Sequence, residues 1–182
     1  GSIVLPARIF NEVVKRLPDA KMTVDVQDNF QTVITSGSSE FTINGLDANN
    51  YPHLPEIVNP QPLQVPADVL KQLINQTYIA VSNQESRPIL TGVHVIISDG
   101  QLLAVATDSH RLAQRTIELP AAADSQYDVI IPGKSLIELG RMLTDDIQTV
   151  EMRFAENQVL FVAGQTNFYS RLLEGNYPDT SR

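Results

Sequence analysis

Thr107-Asp108-Ser109-His110-Arg111 sets two hydroxyls, a carboxylate, an imidazole and a guanidinium side by side, before Leu112-Ala113 returns to apolar residues. No other stretch of the chain is so dense in distinct chemistry. Asp108, Ser109 and His110 suggest a hydrolase triad. A triad needs its members to converge from separate segments, so that base and nucleophile face each other. Three consecutive residues in a turn point apart, and no Gly-x-Ser-x-Gly elbow surrounds Ser109. The same residues fit a plain turn, with Asp108 and Ser109 bonding their own backbone. They also fit recognition, because Arg111 and His110 beside Leu112 offer an apolar pocket with a cationic rim. His53, His94 and His110 are scattered, without His-x-x-x-His or His-Glu-x-x-His spacing, so neither a metal site nor a cofactor is expected.

The turn must be positioned by its flanks. Leu102 to Ala106 and Arg115 to Leu119 read as strands on either side, and Asp99-Gly100 joins the first of these to Val93–Ile97 as a hairpin. Ile9, Phe10, Val13, Val14 and Leu17 recur at helical spacing after Pro6. Val69, Leu70, Leu73 and Ile74 do so after Pro66, and Leu136, Ile137, Gly140 and Leu143 after Pro132. The spacing predicts helices over 6–17, 66–76 and 132–143, each opened by its proline. Met22, Val24 and Val26 alternate as a half-buried strand. Gln31–Thr35, Glu40–Ile43, Leu63–Val65, Tyr127–Ile131, Val150–Phe154, Gln158–Val162 and Asn167–Arg171 complete the strands, and Tyr78–Val81 leads from the second helix into a polar loop, Ser82–Ser86. Pro52, Pro55, Pro60 and Pro62 suggest a stiff linker with a domain boundary near residue 58.

The chain repeats itself. Pro6 and Pro132 lie 126 positions apart, as do Pro52 and Pro178. Leu17 then matches Leu143, Val24 matches Val150, and Asn50-Tyr51-Pro52 matches Asn176-Tyr177-Pro178. Gly37 matches Gly164 with a slip of one. A shorter echo starts at Val65-Pro66. The expected fold is α+β: repeated βαβββ half units, with halves 58–120 and 121–182 forming one domain and residues 1–57 the second half of another. Tyr51 and Tyr177 end equivalent repeats and read as corner packing residues.

The 182 residues are 42% hydrophobic, enough for a core, and carry a formal charge of −8. The absence of cysteine fits a reducing cytoplasm, and no apolar run reaches the eighteen residues of a membrane span. Gly1-Ser2 resembles a cloning remnant, and no signal peptide opens the sequence. An acidic total argues against nucleic acid, but its distribution does not. The three helical stretches carry +3, from Arg8, Lys15, Arg16, Lys71, Lys134 and Arg141 against Glu12, Asp68 and Glu138. A chain total of −8 then leaves −11 elsewhere. Arg8 and Lys134 share a repeat position. From charges alone, a solvated helix face explains these cations equally well.

Thr107–Ala113, with Arg87-Pro88-Ile89-Leu90-Thr91-Gly92 upstream and Leu173-Glu174-Gly175-Asn176-Tyr177-Pro178-Asp179 downstream, resembles the bacterial DNA sliding clamp, the beta subunit of DNA polymerase III. The resemblance runs from about Ile3 to Arg182. It implies clamp-type domains with helices on one face of antiparallel sheets, three domains per subunit, and a two-subunit ring around duplex DNA. By resemblance this chain holds the second half of domain one and the whole of domain two. The family has no enzymatic activity of its own and acts as a processivity factor.

The resemblance further implies that Arg8, Lys15, Lys134, Arg141 and Gln84 face DNA, in non-specific contacts to phosphate. It implies a pocket for a short peptide of partner proteins: the replicative polymerase, the clamp loader and other clamp-binding-motif proteins. That pocket comprises Arg87, Leu90, Thr107, Ser109, His110, Arg111, Leu112, Pro178 and Arg182. Leu90, Leu112 and Pro178 would form an apolar floor and the arginines would supply donors. Read without the resemblance, Leu90 and Leu112 fit as plain core. Ser109 stands where the family often has glycine. The competing functions are a β-rich peptide-binding module without a DNA role, and a hydrolase using His110 and Asp108. Residues 1–57, lacking their other half, are expected to expose part of the Ile9–Leu17 helix face and to pair with a second copy.

Overall fold

The computed structural model describes residues 1–18, 21–54, 56–58 and 62–181, which form two compact units, Gly1–Pro55 and Glu56–Arg182. Pro55 and Pro60 of the expected linker lie outside the described residues.

The first unit has one helix, α1 (Ala7–Lys15), and three strands, β1 (Thr23–Val26), β2 (Gln31–Ser36) and β3 (Ser39–Asn44), in an antiparallel sheet ordered β1-β2-β3. Val4 bridges to Leu46. The unit's core is small: Ile34 and Ile43 are buried beside Thr32 and Ser36. The half-buried β1 of the sequence reading is not found, since Met22, Val24 and Val26 are each more than 40% exposed. The physical reason is that β1 pairs with β2 alone, and no residue of α1 is buried. The helix also ends at Lys15 rather than at residue 17, with Arg16 as its C-cap.

The second unit holds the repeat twice. Its first half is β4 (Leu63–Pro66), α2 (Ala67–Tyr78), β5 (Gly92–Ser98), β6 (Gln101–Thr107) and β7 (Leu112–Glu118). Its second half is β8 (Tyr127–Pro132), α3 (Gly133–Met142), β9 (Thr149–Phe154), β10 (Gln158–Ala163) and β11 (Thr166–Arg171). The two sheets run β7-β6-β5-β8 and β11-β10-β9-β4, so each half lends its first strand to the other's sheet. Val65 thereby faces Val150, and Ile131 faces Val93. All four side chains are at most 1% exposed. Fully burying such a side chain contributes roughly 1.5–3 kcal/mol. One core cluster joins both halves, running from Leu63 and Val65 through Ile74 and Leu139 to Phe161. Helices α2 and α3 pack on each other and on the sheets.

One local reading is corrected. The prolines do not occupy the first helical turn. Pro6, Pro66 and Pro132 are N-caps with extended ψ of 109°, 132° and 130°, and each helix begins one residue later. Proline fixes φ near the helical value but leaves ψ free to finish the preceding strand. Helix α2 continues to Tyr78, and the Thr77 hydroxyl donates to the Leu73 carbonyl 2.8 Å away. That bond satisfies a buried polar group inside the helix. Gly92 marks a close approach, because a Cβ there would lie 2.6 Å from Ile130 and 2.9 Å from the Ile131 carbonyl oxygen.

Candidate functional site

The turn Thr107–Arg111 links β6 to β7 and satisfies its own backbone. The Asp108 carboxylate accepts from the N–H groups of His110 and Arg111, both at 3.0 Å, and from Arg111 Nε at 3.0 Å. The two backbone donors, with the guanidinium beside them, hold the Asp108 carboxyl below the usual carboxylate range, and slight burial opposes them. Thr107 closes the other side. Its hydroxyl donates to the Arg111 carbonyl at 2.7 Å and accepts from Ser109 N–H at 3.1 Å. Ser109 is left-handed, with φ of 78°, a conformation that favours glycine. Its hydroxyl does not bond its own backbone; it accepts from Arg87 Nη1 at 3.3 Å. The carboxylate is thus a cap for the turn rather than the orienter of a histidine base. This local geometry and the similarities reported below overturn the hydrolase alternative on His110 and Asp108.

Across from the turn lies the loop 82–87, followed by a 3-10 turn, Pro88–Thr91. Ser82 N–H donates to the Leu90 carbonyl, and the Ser82 hydroxyl accepts from Gln84 N–H. Loop and turn enclose a cleft of about 670 Å³. Among the expected pocket residues, the cleft brings together Arg87, Leu90, Ser109, His110 and Arg111. It also includes Gln84, which the resemblance placed toward DNA, and Asp108. Leu90 is buried at 3% exposure, whereas Leu112 is 47% exposed at the start of β7 and is therefore not core. Thr107, Leu112 and Pro178 are not among the cleft's lining residues. Arg182 lies outside the described residues.

The sequence reading passed over Tyr177 as a site residue. Its hydroxyl oxygen accepts from Thr107 N–H at 3.0 Å, and its ring stacks on His94 with centroids 4.9 Å apart. Thr107 and Tyr177 lie far apart in sequence, so no local pattern carries the signal. Tyr51, its repeat counterpart, is 61% exposed, which corrects the corner-packing reading for that residue. Both partners of Tyr177 come from the first half of the second unit, and Tyr51 has no such half within its own unit.

The helix cations divide by unit. In the first unit Arg8 and Lys15 are exposed, and Arg16 pairs with Glu12 at 3.2 Å. In the second unit Lys134 Nζ lies 3.9 Å from Glu85, Arg141 pairs with Glu138 at 2.6 Å, and Lys71 Nζ donates to the Leu143 carbonyl at the end of α3. Lys134 and Arg141 are themselves exposed, so these surface pairs are weak ties. Among the described residues no group of three or more His, Cys, Asp or Glu is placed to hold a metal. Among the same described residues no helix is long and apolar enough to cross a membrane.

Comparison with known proteins agrees with this geometry. The family model of the DNA polymerase III beta subunit, central domain, matches residues 64–179, and that of its N-terminal domain matches residues 1–55. The beta sliding clamp of Bacillus subtilis is 53% identical over 181 residues, covering 100% of this chain and 48% of its own length. The crystal structure of the Bacillus subtilis clamp superposes with a TM-score of 0.95, again over 100% of this chain and 48% of that one. A Pseudomonas aeruginosa sliding clamp bound to griselimycin, 30% identical, superposes with a TM-score of 0.90 over 98% of this chain and 48% of that one. The chain spans about half the length of the curated relatives it matches. With one family model matching residues 64–179, more than half of the chain, and a second matching residues 1–55, the chain belongs to the DNA polymerase III beta subunit family, the bacterial sliding clamps.

Proposed function

We propose that this chain is part of a ring-shaped processivity factor that encircles duplex DNA without enzymatic activity of its own. Residues 1–57 then supply the second half of the first clamp domain, and residues 58–182 the whole second domain. The observation that supports this most is the placement of Arg8 and Lys134. They stand at one repeat position on α1 and α3, both exposed, on a chain whose remaining charge is strongly acidic. Such sparse cations bind phosphate without reading sequence, and their contacts weaken with salt. Retention on DNA then comes from closure of the ring, a topological effect. The full-length protein assembled on nicked circular DNA should stay bound through a salt wash and leave after linearisation. Equal loss from circular and linear DNA would reject the ring and favour the peptide-binding module.

The cleft between loop 82–87 and the turn 107–111 supports docking of a partner peptide, with the replicative polymerase and clamp loader as the partners in view. Leu90 gives it an apolar floor, and Arg87 and Arg111 give donors for carbonyl or carboxylate groups. A Pseudomonas aeruginosa clamp of the same fold has been captured with griselimycin bound, which supports this reading. A fluorescein-labelled peptide rich in Gln, Leu and Phe is the probe. Leu112, half-exposed at the start of β7 and outside the cleft's lining, is the neighbouring apolar contact that the clamp resemblance adds, and Leu112→Ala should weaken binding by about 1–3 kcal/mol, the range of a contact hot spot. Equal anisotropy titrations for the two proteins would remove Leu112 from the site.

A further inference from the structure

Tyr177 belongs to the segment that follows β11 and carries Pro178, whereas Thr107 opens the turn that borders the cleft. The bond from Thr107 N–H to the Tyr177 hydroxyl, 3.0 Å, ties these two segments together. Thr107 is the point of the turn where such a tie has most effect, since its hydroxyl already bonds both Arg111 and Ser109. Any shift of Thr107 is carried directly to the residue that holds Arg87, namely Ser109.

The Tyr177 ring is itself held. It stacks on His94 of β5 at 4.9 Å with an interplanar angle of 29°. His94 Nε2 lies 2.7 Å from Asp128 Oδ1 on the neighbouring strand β8. Its other ring nitrogen, Nδ1, is buried without a hydrogen-bond partner. An unsatisfied buried nitrogen works against stability. A leucine or phenylalanine would fill the same space without that penalty. What the imidazole adds is a fixed ring plane, because Asp128 determines its rotation and the ring plane in turn seats Tyr177. Burial also raises the Tyr177 hydroxyl above its ordinary pKa, and the Thr107 N–H opposes that shift.

We infer that Tyr177 is a positioning residue for the docking cleft, with the Asp128–His94 pair as its support. It sets the distance between the turn 107–111 and the Pro178 segment and so preorganises the surface a peptide meets. The inference rests on the reading of the cleft as a peptide-docking site. Tyr177→Phe removes one oxygen and keeps the stacked ring, so the fold should survive. The expected result with the Gln-, Leu- and Phe-rich peptide is about a tenfold loss of affinity, the effect of one hydrogen bond. The Thr107 amide should exchange with solvent at least tenfold faster by NMR. His94→Gln can keep a contact to Asp128 but loses the stack, and about a threefold loss of affinity is expected for this weaker support. Wild-type affinity in Tyr177→Phe would overturn the inference, even with faster exchange of Thr107, since the tyrosine would then be structural only. Should the wild-type chain bind no peptide at all, the docking reading itself falls, and wild-type exchange of Thr107 in Tyr177→Phe would still show that the tie does not hold the turn.

Discussion

Strands β1 and β9 hold the same place in the repeat, yet Val24 in β1 is 41% exposed and Val150 in β9 is fully covered. The neighbouring pair repeats the contrast, with Val26 at 43% and Met152 at 1%. The strands differ little in character. What differs is that β9 is paired on both sides, by β10 and by β4 of the other half, while β1 has β2 alone. Burial in this fold is therefore not a property of one half unit. It arises when two halves exchange their first strands and close a common core. The same holds for the tyrosines, since Tyr177 finds His94 and Thr107 on the other half and Tyr51 stays exposed.

The comparison predicts unequal costs for matched substitutions. Met152→Ala should destabilise the second unit by about 2–5 kcal/mol, through lost burial and the cavity left behind. Val26→Ala should fall within about 0.5 kcal/mol, as for a surface change. Urea denaturation monitored separately on each unit reads both. Comparable losses at the two sites would break the claim that only the closed unit buries this position.

A second copy should be able to supply what β1 lacks. In the second unit Pro66 pairs with Thr149 and Val65 with Val150. Transferred through the repeat, that register places Pro6 of one copy opposite Thr23 of another and Leu5 opposite Val24, reciprocally. An exposed strand edge with an apolar face invites such pairing, and a reciprocal contact gives a two-fold dimer. Sedimentation should show association that rises with concentration and is weakened severalfold by Val24→Lys. A chain that remains monomeric at high concentration, with β1 amides as well protected as those of β9, would contradict it.

Much of this was legible beforehand. Helical spacing located α1, α2 and α3, and alternation located most strands. The 126-residue period paired Val24 with Val150 correctly. The exchange of β4 and β8 was not legible, because a repeat says which residues are equivalent and not which copy they pair with. The exposure of β1 escaped for the same reason. Alternation in Met22, Val24 and Val26 records a buried face without showing that the covering strand is present. At the site, Asp108 as a cap followed from its place in a turn. The path from Thr107 to Tyr177 to His94 did not, as it joins three segments that only the folded second unit brings together.

The smallest effect concerns acid and the turn of the closed unit. Asp108 has its folded pKa lowered, first by the His110 and Arg111 N–H groups. A lowered carboxyl contributes stability above its unfolded value, near pH 4, and loses it as pH falls through the folded value. Protection of the His110 and Arg111 amides should thus be flat above about pH 4 and decline only below it. A decline beginning near neutrality would show that another group holds the turn.

The exchanged strands also dictate when this domain finishes folding. Strand β4 is among the first parts of the second unit to be synthesised, but its partner β9 follows far downstream, with Leu63 opposite Met152. At about 5–20 residues per second, a ribosome takes several seconds to supply β9 after β4. During that interval β4 has no native partner, and β5 likewise waits for β8. Contacts this distant in sequence slow folding generally. The nascent chain therefore carries an open, aggregation-prone sheet edge until translation of the second half is nearly complete.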